Sequence, residues 1–135
     1  MSLISSLHVA STALHAQSLR LNTIASNLAN ADSTVDTYGN AYRAKNTVFR
    51  TVPMENMGAD GVEVMSVSES NAPLRRVYEP GHPKADESGF VSYSNVNPVE
   101  EMVNMISASR SYQMNLEAMN SARELLQRSL DILGT

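Results

Sequence analysis

Two stretches of this chain carry a heptad rhythm, and the stretch between them does not. From residue 3 to residue 30 leucine recurs at every seventh position, Leu7, Leu14, Leu21 and Leu28, while Leu3, Ala10, Gln17 and Ile24 form the neighbouring row. Two adjacent rows at that spacing make the narrow seam of a coiled-coil helix, and Gln17 is its one polar member. Such a helix extends for roughly 40 Å at 1.5 Å per residue. Asn30 to Ser33, followed by Gly39 and Asn40, read as its end.

A second helix is predicted from Pro98 to Leu133. Asn97, Pro98 and Glu100 fit an N-cap, a first-turn proline and the third-position partner of a capping box. Its seam is Met105, Tyr112, Met119, Leu126 and Leu133, with Met102, Ser109, Leu116, Arg123 and Leu130 beside it. About thirty-five helical residues span roughly 54 Å, against a diameter of roughly 36 Å for a compact ball of this chain length. The molecule is therefore expected to be elongated, with apolar seam left over for other molecules.

Between the helices the sequence turns β-branched and aromatic in short runs, at 47–52, 61–67, 74–78 and 89–93, punctuated by Pro53, Gly58, Gly61, Pro73, the turn from Pro80 to Pro83, and Gly89. The alternation is poor: in GVEVMSVSES both faces are mixed. The fold expected is mainly α with a small β region. Long N- and C-terminal helices pack as an elongated coiled-coil-like pair, with short strands or hairpins between them. As one structural unit, the chain divides into an N-terminal axial helix (1–33), a β-rich and loop middle (34–96) and a C-terminal axial helix (97–135).

Composition narrows the function. With two Phe, five Tyr and no Trp, a dense aromatic core is excluded, and eight Met residues point to surfaces that repack. The net charge of −4, with both signs mixed along the chain, offers no basic stripe for phosphates, so nucleic acid is not an expected partner. The absence of Cys rules out disulfides and thiolate chemistry. The start, MSLISSLHVASTALHAQ, lacks a basic leader and a continuous apolar run, so a cleavable secretory signal is not expected. No run approaches the length of a membrane span, and direct lipid binding is not expected either.

Candidate chemistry is sparse. His8 and His15 lie one heptad apart, about 10 Å along the axis, too far to share a metal ion. His82 sits in a double-proline turn. Glu100 and Glu101 point about 100° apart on a helix and do not converge on one substrate atom; both suit a helix N-terminus. Arg43 with Lys45 and Arg75 with Arg76 read as solvated edge-strand residues. No catalytic, cofactor-binding or metal site is expected.

Several motifs together resemble a known family. QSLRLNTIASNLANADS in the first helix resembles the N-terminal signature of bacterial flagellar rod and hook proteins, which pair terminal helices around a variable middle. YRAKNTVF at 42–49, VYEPGHPKADESGFVSYSNVNPVEEMVNMISASRSYQMNLEAMN at 77–120 and the short chain are similar to the family members that form the proximal rod. Ser94 departs from the proline many members carry before Asn95, Val96 and Asn97.

The resemblance implies a non-enzymatic axial subunit of the flagellar basal body, lying in the periplasm. It would be exported without a cleavable signal by the flagellar type III system and polymerised helically to transmit torque. The implied partners are other copies of itself, other proximal and distal rod proteins, and the inner-membrane ring or export-gate adaptor. The helix seams, Leu7, Leu14, Leu21, Ile24 and Leu28 with Met105, Tyr112, Leu116, Met119, Leu126 and Leu130, are the expected assembly residues. Asn27 and Asn30 are expected to bond to backbone at the helix end and at the turn toward Asp32. The competing reading is a secreted helical adaptor or inner-rod-like part of another secretion machine.

Overall fold

The computed structural model describes residues 3–36, 38–54 and 58–134. Helix α1 spans Leu3–Ala29, strands β1 and β2 span Lys45–Met54 and Ala59–Glu69, β3 and β4 span Arg75–Tyr78 and Phe90–Tyr93, and helix α2 spans Pro98–Leu133. Asn97 caps α2: its side chain accepts from the N–H groups of Val99 (3.1 Å) and Glu100 (3.4 Å), and Pro98 occupies the first turn, where its missing donor costs nothing. The Glu100 side chain is exposed and makes no reciprocal bond to Asn97, so the capping box is half formed.

The helices are antiparallel, because the end of α1 and the start of α2 meet where Asn27 touches Glu101. With 36 residues against 27, α2 overruns α1 at its far end, leaving Leu130 and Leu133 exposed. Among the named elements α2 packs on α1 alone, so its buried residues, Glu101, Ala108 and Ala122, face α1. The buried residues of α1 are Ser5, Ala10, Ala16, Ile24 and Asn27. Small side chains dominate both lists, which lets the helix backbones come close but removes little apolar area from water.

Strands β1 and β2 pair antiparallel over their whole length, Lys45 opposite Glu69 and Met54 opposite Ala59, with Met65 as the extra residue of a bulge beside Val48 and Phe49. The hairpin lies along α1. The Thr12 hydroxyl accepts from the Val62 N–H at 3.2 Å and donates to the Val9 carbonyl at 2.8 Å. Gly61 is buried at this contact: a Cβ there would stand 2.5 Å from Met54 Cε and 3.1 Å from Thr12 Oγ1. Helix α1 is thus the middle layer, with α2 and the hairpin each packed on it.

The second sheet pairs Arg75–Tyr78 with Phe90–Tyr93. Its β4 edge is covered by the chain leaving α1, through a Thr34–Tyr93 bridge, Val35 N–H to Ser92 O (3.1 Å) and Ser94 N–H to Ser33 O (3.0 Å). Ala31, Val91 and Val96 form the small core there. At the free β3 edge Arg75 and Arg76 are held by Asp32 (2.7 Å) and Asp86 (2.6 Å) and lie over the Tyr93 and Phe90 rings. Charged residues at such an edge discourage pairing with another strand.

This architecture corrects the expectation of a mainly α chain with a small β region. Helix accounts for about 49% and strand for about 23% of the described residues, the strands in two separate antiparallel sheets. The first sheet uses strands of 10 and 11 residues. Its length was hidden because both faces are partly exposed and the Met65 bulge shifts the alternation midway. The coiled-coil-like pair with only short strands between is corrected for the same reason: a long hairpin shares α1 with α2, and small residues make up most of the buried positions of the two helices.

Candidate assembly surface and the Asn27 node

Asn27 is fully buried and uses its whole side-chain hydrogen-bonding capacity. Its Nδ2 donates to the Lys45 carbonyl (2.8 Å) and to Glu101 Oε2 (3.0 Å), and its Oδ1 accepts from the Lys45 N–H (2.9 Å) and the Tyr42 hydroxyl (2.9 Å). The Tyr42 proton is committed to Asn27, so the 3.2 Å contact between Tyr42 and Ser26 is a Ser26 hydroxyl donating to Tyr42. Toward Lys45 the amide does what a neighbouring strand would do, satisfying the N–H and C=O of one residue at once. One side chain therefore joins α1, the start of the hairpin and the first turn of α2.

Asn30 acts locally. Its Nδ2 donates to Ser26 O (2.9 Å) in the last turn of α1, and its Oδ1 accepts from the Ser33 hydroxyl (3.1 Å). The exit from α1 is then clamped from outside: Lys84, on the loop after β3, donates to Thr34 Oγ1 and the Val35 carbonyl, each at 3.0 Å. The buried Ser94 ties the same exit to β4, its hydroxyl donating to Ala31 O at 2.7 Å. A proline at 94 could make neither this bond nor the one from the Ser94 N–H.

The apolar rows divide into two environments. Leu7, Leu14, Leu21 and Leu28 are half-buried and Ile24 is buried; Met105, Tyr112, Met119 and Leu126 are half-buried. Leu116 and Leu130, from the row beside, are exposed, as is Met102. The row that completes the inward face of α2 lies on the other flank, Glu101, Ala108, Asn115 and Ala122. Roughly 180° around the helix, at 100° per residue, Val99, Val103, Ile106 and Met114 make a second apolar stripe, with Ile106 56% and Met114 63% exposed. An open cleft of about 390 Å³ runs through it, lined by Val103, Ile106, Ser107, Arg110, Ser111 and Met114.

Sequence reasoning missed this second stripe and the roles of Tyr42, Lys45 and Glu101. The four-three-four spacing of Val99, Val103, Ile106 and Arg110 was a signal, obscured because an apolar helix on two sides has weak amphipathicity. His8 and His15 are exposed on α1, and among the described residues no three His, Cys, Asp or Glu side chains are grouped to hold a metal ion. Among the described residues no helix is long and apolar enough to cross a membrane.

Among the described residues three carboxyl and phenol groups are perturbed, two in exposed turns and one at the end of β4. Backbone donation from Asn40, with further bonds from its side chain and from Tyr38, holds Asp36 below its ordinary value. Backbone donation from Phe90 and Ser88, together with Arg76, does the same for Asp86. The hydrogen bond from the Tyr93 hydroxyl to Glu79 (2.9 Å) raises the Tyr93 pKa. These are turn-holding interactions, joined to no nucleophile or metal.

Long helices, interlocked at one end and apolar on more faces than the chain itself covers, define a structural subunit that completes its burial against other molecules. Residues 7–35 match the flagella basal body rod protein family and residues 87–132 the C-terminal family of the flagellar basal body rod FlgEFG proteins. The chain is 48% identical over 132 residues to the flagellar basal-body rod protein FlgC of Salmonella typhimurium, covering 98% of each chain. It is 46% identical to the FlgC of Yersinia enterocolitica at the same coverage, and 38% identical over 150 residues to that of Borreliella burgdorferi, covering 98% of this chain and 99% of the relative. The chain belongs to the FlgC family of flagellar basal-body rod proteins, and is a structural subunit of the proximal rod.

Proposed function

We infer that this chain is exported uncleaved through the flagellar type III channel and polymerised helically within the periplasm to transmit torque. The observation that carries this reading is the apolar stripe of α2 that faces away from α1. Fully burying a Val, Ile or Met side chain is worth about 1.5–3 kcal/mol, so covering Val99, Val103, Ile106 and Met114 with neighbours supplies burial that the single chain lacks. Contacts between unlike surfaces that do not close a ring build a helical filament.

The partners that fit are other copies of this chain, other proximal and distal rod proteins, and the inner-membrane ring or export-gate adaptor. Methionines on both faces, Met105 and Met119 inward and Met102 and Met114 outward, suit neighbours of unequal shape. The half-covered seam residues Leu7, Leu14, Leu21, Leu28, Met105, Tyr112, Met119 and Leu126, the buried Ile24, and the exposed Leu116 and Leu130 are the proposed assembly positions. Asn27, Asn30, Asn97 and Pro98 hold the junctions at the helix ends, and Glu100 lies in the first turn of α2, where its charge suits the helix N-terminus. The ranges 1–33, 34–96 and 97–135 then act as axial helix, outer β region and axial helix of one unit.

Because the chain has no Cys, a single cysteine at Ile106 gives an unambiguous cross-linking site. Purified basal bodies carrying that variant should yield cross-links from position 106 to another copy or to a neighbouring rod protein. Incorporation without any intersubunit cross-link from this position would overturn the proposed surface.

A further inference from the structure

Lys84 is held at both ends. Its backbone N–H donates to Nδ1 of His82 at 3.1 Å, and its Nζ donates to Thr34 Oγ1 and to the Val35 carbonyl, each at 3.0 Å. The loop that carries it folds as two successive tight turns, His82 N–H to Glu79 O and Ala85 N–H to His82 O, both at 3.0 Å. The bond to His82 therefore fixes the backbone from which the lysine stem reaches the exit of α1. That exit is the segment whose Val35 N–H and Ser33 carbonyl cover the edge of β4.

A ring nitrogen that accepts a hydrogen bond carries no proton, so neutral His82 keeps its hydrogen on Nε2. A second proton goes to Nδ1, and there it turns the acceptor of the Lys84 N–H into a competing donor. Histidine is the side chain that changes charge between pH 5 and 8. Once charged, the ring has carboxylates to turn to: half-buried His82 lines an open cleft of about 590 Å³ with Asp32 from the α1 exit, Arg75 of β3, Glu79 and Tyr93 of β4. Arg75 is already engaged by Asp32, and the Tyr93 hydroxyl by Glu79. Lys84 has an alternative as well. Its present acceptors are neutral oxygens, while the carboxylates of Asp36 and Asp86 line a second cleft of about 370 Å³ with it.

We propose that His82 is an acid-operated latch on the Lys84 clamp: neutral, it holds the loop so that Lys84 grips Thr34 and Val35, and protonated, it releases that grip. The two states exchange one set of bonds for another. In the first, Nδ1 bonds the Lys84 N–H and the ammonium bonds the α1 exit. In the second, the imidazolium faces Asp32 and Glu79, and the ammonium is free to move toward Asp36 and Asp86. The device sits where the chain leaves α1 for the β region, so acid loosens that junction and leaves the Asn27 node in place. It does not depend on the rod-subunit reading.

The test is residue-resolved amide exchange of the full chain, corrected for the intrinsic rate, from about pH 8 to about pH 5. Exchange at Lys84 and Val35 should quicken together by about tenfold, the change expected from losing one hydrogen bond at each place. Phe90 is the internal control, because its N–H bonds to Asp86, which titrates below this range. In His82→Asn the side-chain oxygen can still accept from the N–H two residues on but does not titrate, so both sites should stay protected throughout. In Lys84→Met, Val35 should exchange fast at every pH. Nitrogen-15 shifts of the imidazole in the unchanged chain need no variant, and should show the Nε2–H form at about pH 8 and a ring charging in step with the Lys84 amide. A ring with its proton on Nδ1 at that pH overturns the latch. So does a Lys84 amide indifferent to pH, one that responds without Val35, or one accompanied by Phe90.

Discussion

Asn27 of α1 donates its side-chain amide to the carboxylate of Glu101 in α2 at 3.0 Å, across 74 positions of sequence. Both side chains are buried, and the same Asn27 amide group also holds the N–H and C=O of Lys45. The junction of both helices with the hairpin thus depends on one short polar side chain. A longer amide would displace the chains it joins, and an apolar residue would leave their polar groups unpaired.

Asn27→Leu strands the Lys45 backbone, the Tyr42 hydroxyl and Glu101 at once. The expected loss is about 2–4 kcal/mol, since each unsatisfied buried group costs roughly 1–3 kcal/mol and relaxation recovers part of the sum. Chemical denaturation of the purified variant checks this. Asn30→Leu, which breaks only contacts to Ser26 and Ser33, should cost the isolated chain less and impair rod assembly more than secretion.

Gly61 takes its meaning from contact, not from an unusual backbone angle. A methyl group there meets the flexible end of Met54 and then Thr12. Gly61→Ala should destabilise the docking of the hairpin by about 1–3 kcal/mol, and Met54→Ala in the same chain should return part of it. A double-mutant cycle followed by thermal melting measures that coupling.

At position 94 the serine holds the exit of α1 through both its N–H and its hydroxyl. Ser94→Pro removes both bonds and should cost about 2–3 kcal/mol, whereas Ser94→Ala, which keeps the N–H, should cost about 1 kcal/mol. Amide exchange at Ser33 to Val35 is the local readout.

Acid should loosen two turns before it touches the helices. Asp36 and Asp86 sit below their ordinary 3.8 because each carboxylate accepts bonds that favour its charged form. A depressed folded pKa contributes stability that is present above the unfolded value and is lost as pH falls through the folded one. Exchange at Asn40 and Phe90 should therefore quicken as pH drops below about 4, relative to the intrinsic rate, and Asp86→Asn should remove that acid dependence at Phe90.

Changing Ile106 or Met114 to Glu separates folding from assembly. Both positions are exposed and away from α1, so the melting of the isolated chain should shift by less than about 0.5 kcal/mol equivalent. Rod completion in cells should fail. Joint replacement of Met105 and Met119 by Ile tests the inward face in the same way: assembly that tolerates it would remove the argument for adaptable methionines there.

The sequence by itself determined the two long helices. A period near 3.6 sustained over many turns, closed by an asparagine cap and a first-turn proline, is a local signal that burial elsewhere does not alter. It also carried the family, through motifs that keep their order. It did not determine which row flanks Met105, Tyr112 and Met119, because alanines carry no strong periodic signal and yet are what two close helix backbones select. Nor did it determine that Asn27 binds Lys45 and Glu101, or that the hairpin runs its full length along α1. Those depend on residues distant in sequence meeting in one place, and a buried amide acquires its role only from the partners that tertiary structure brings to it.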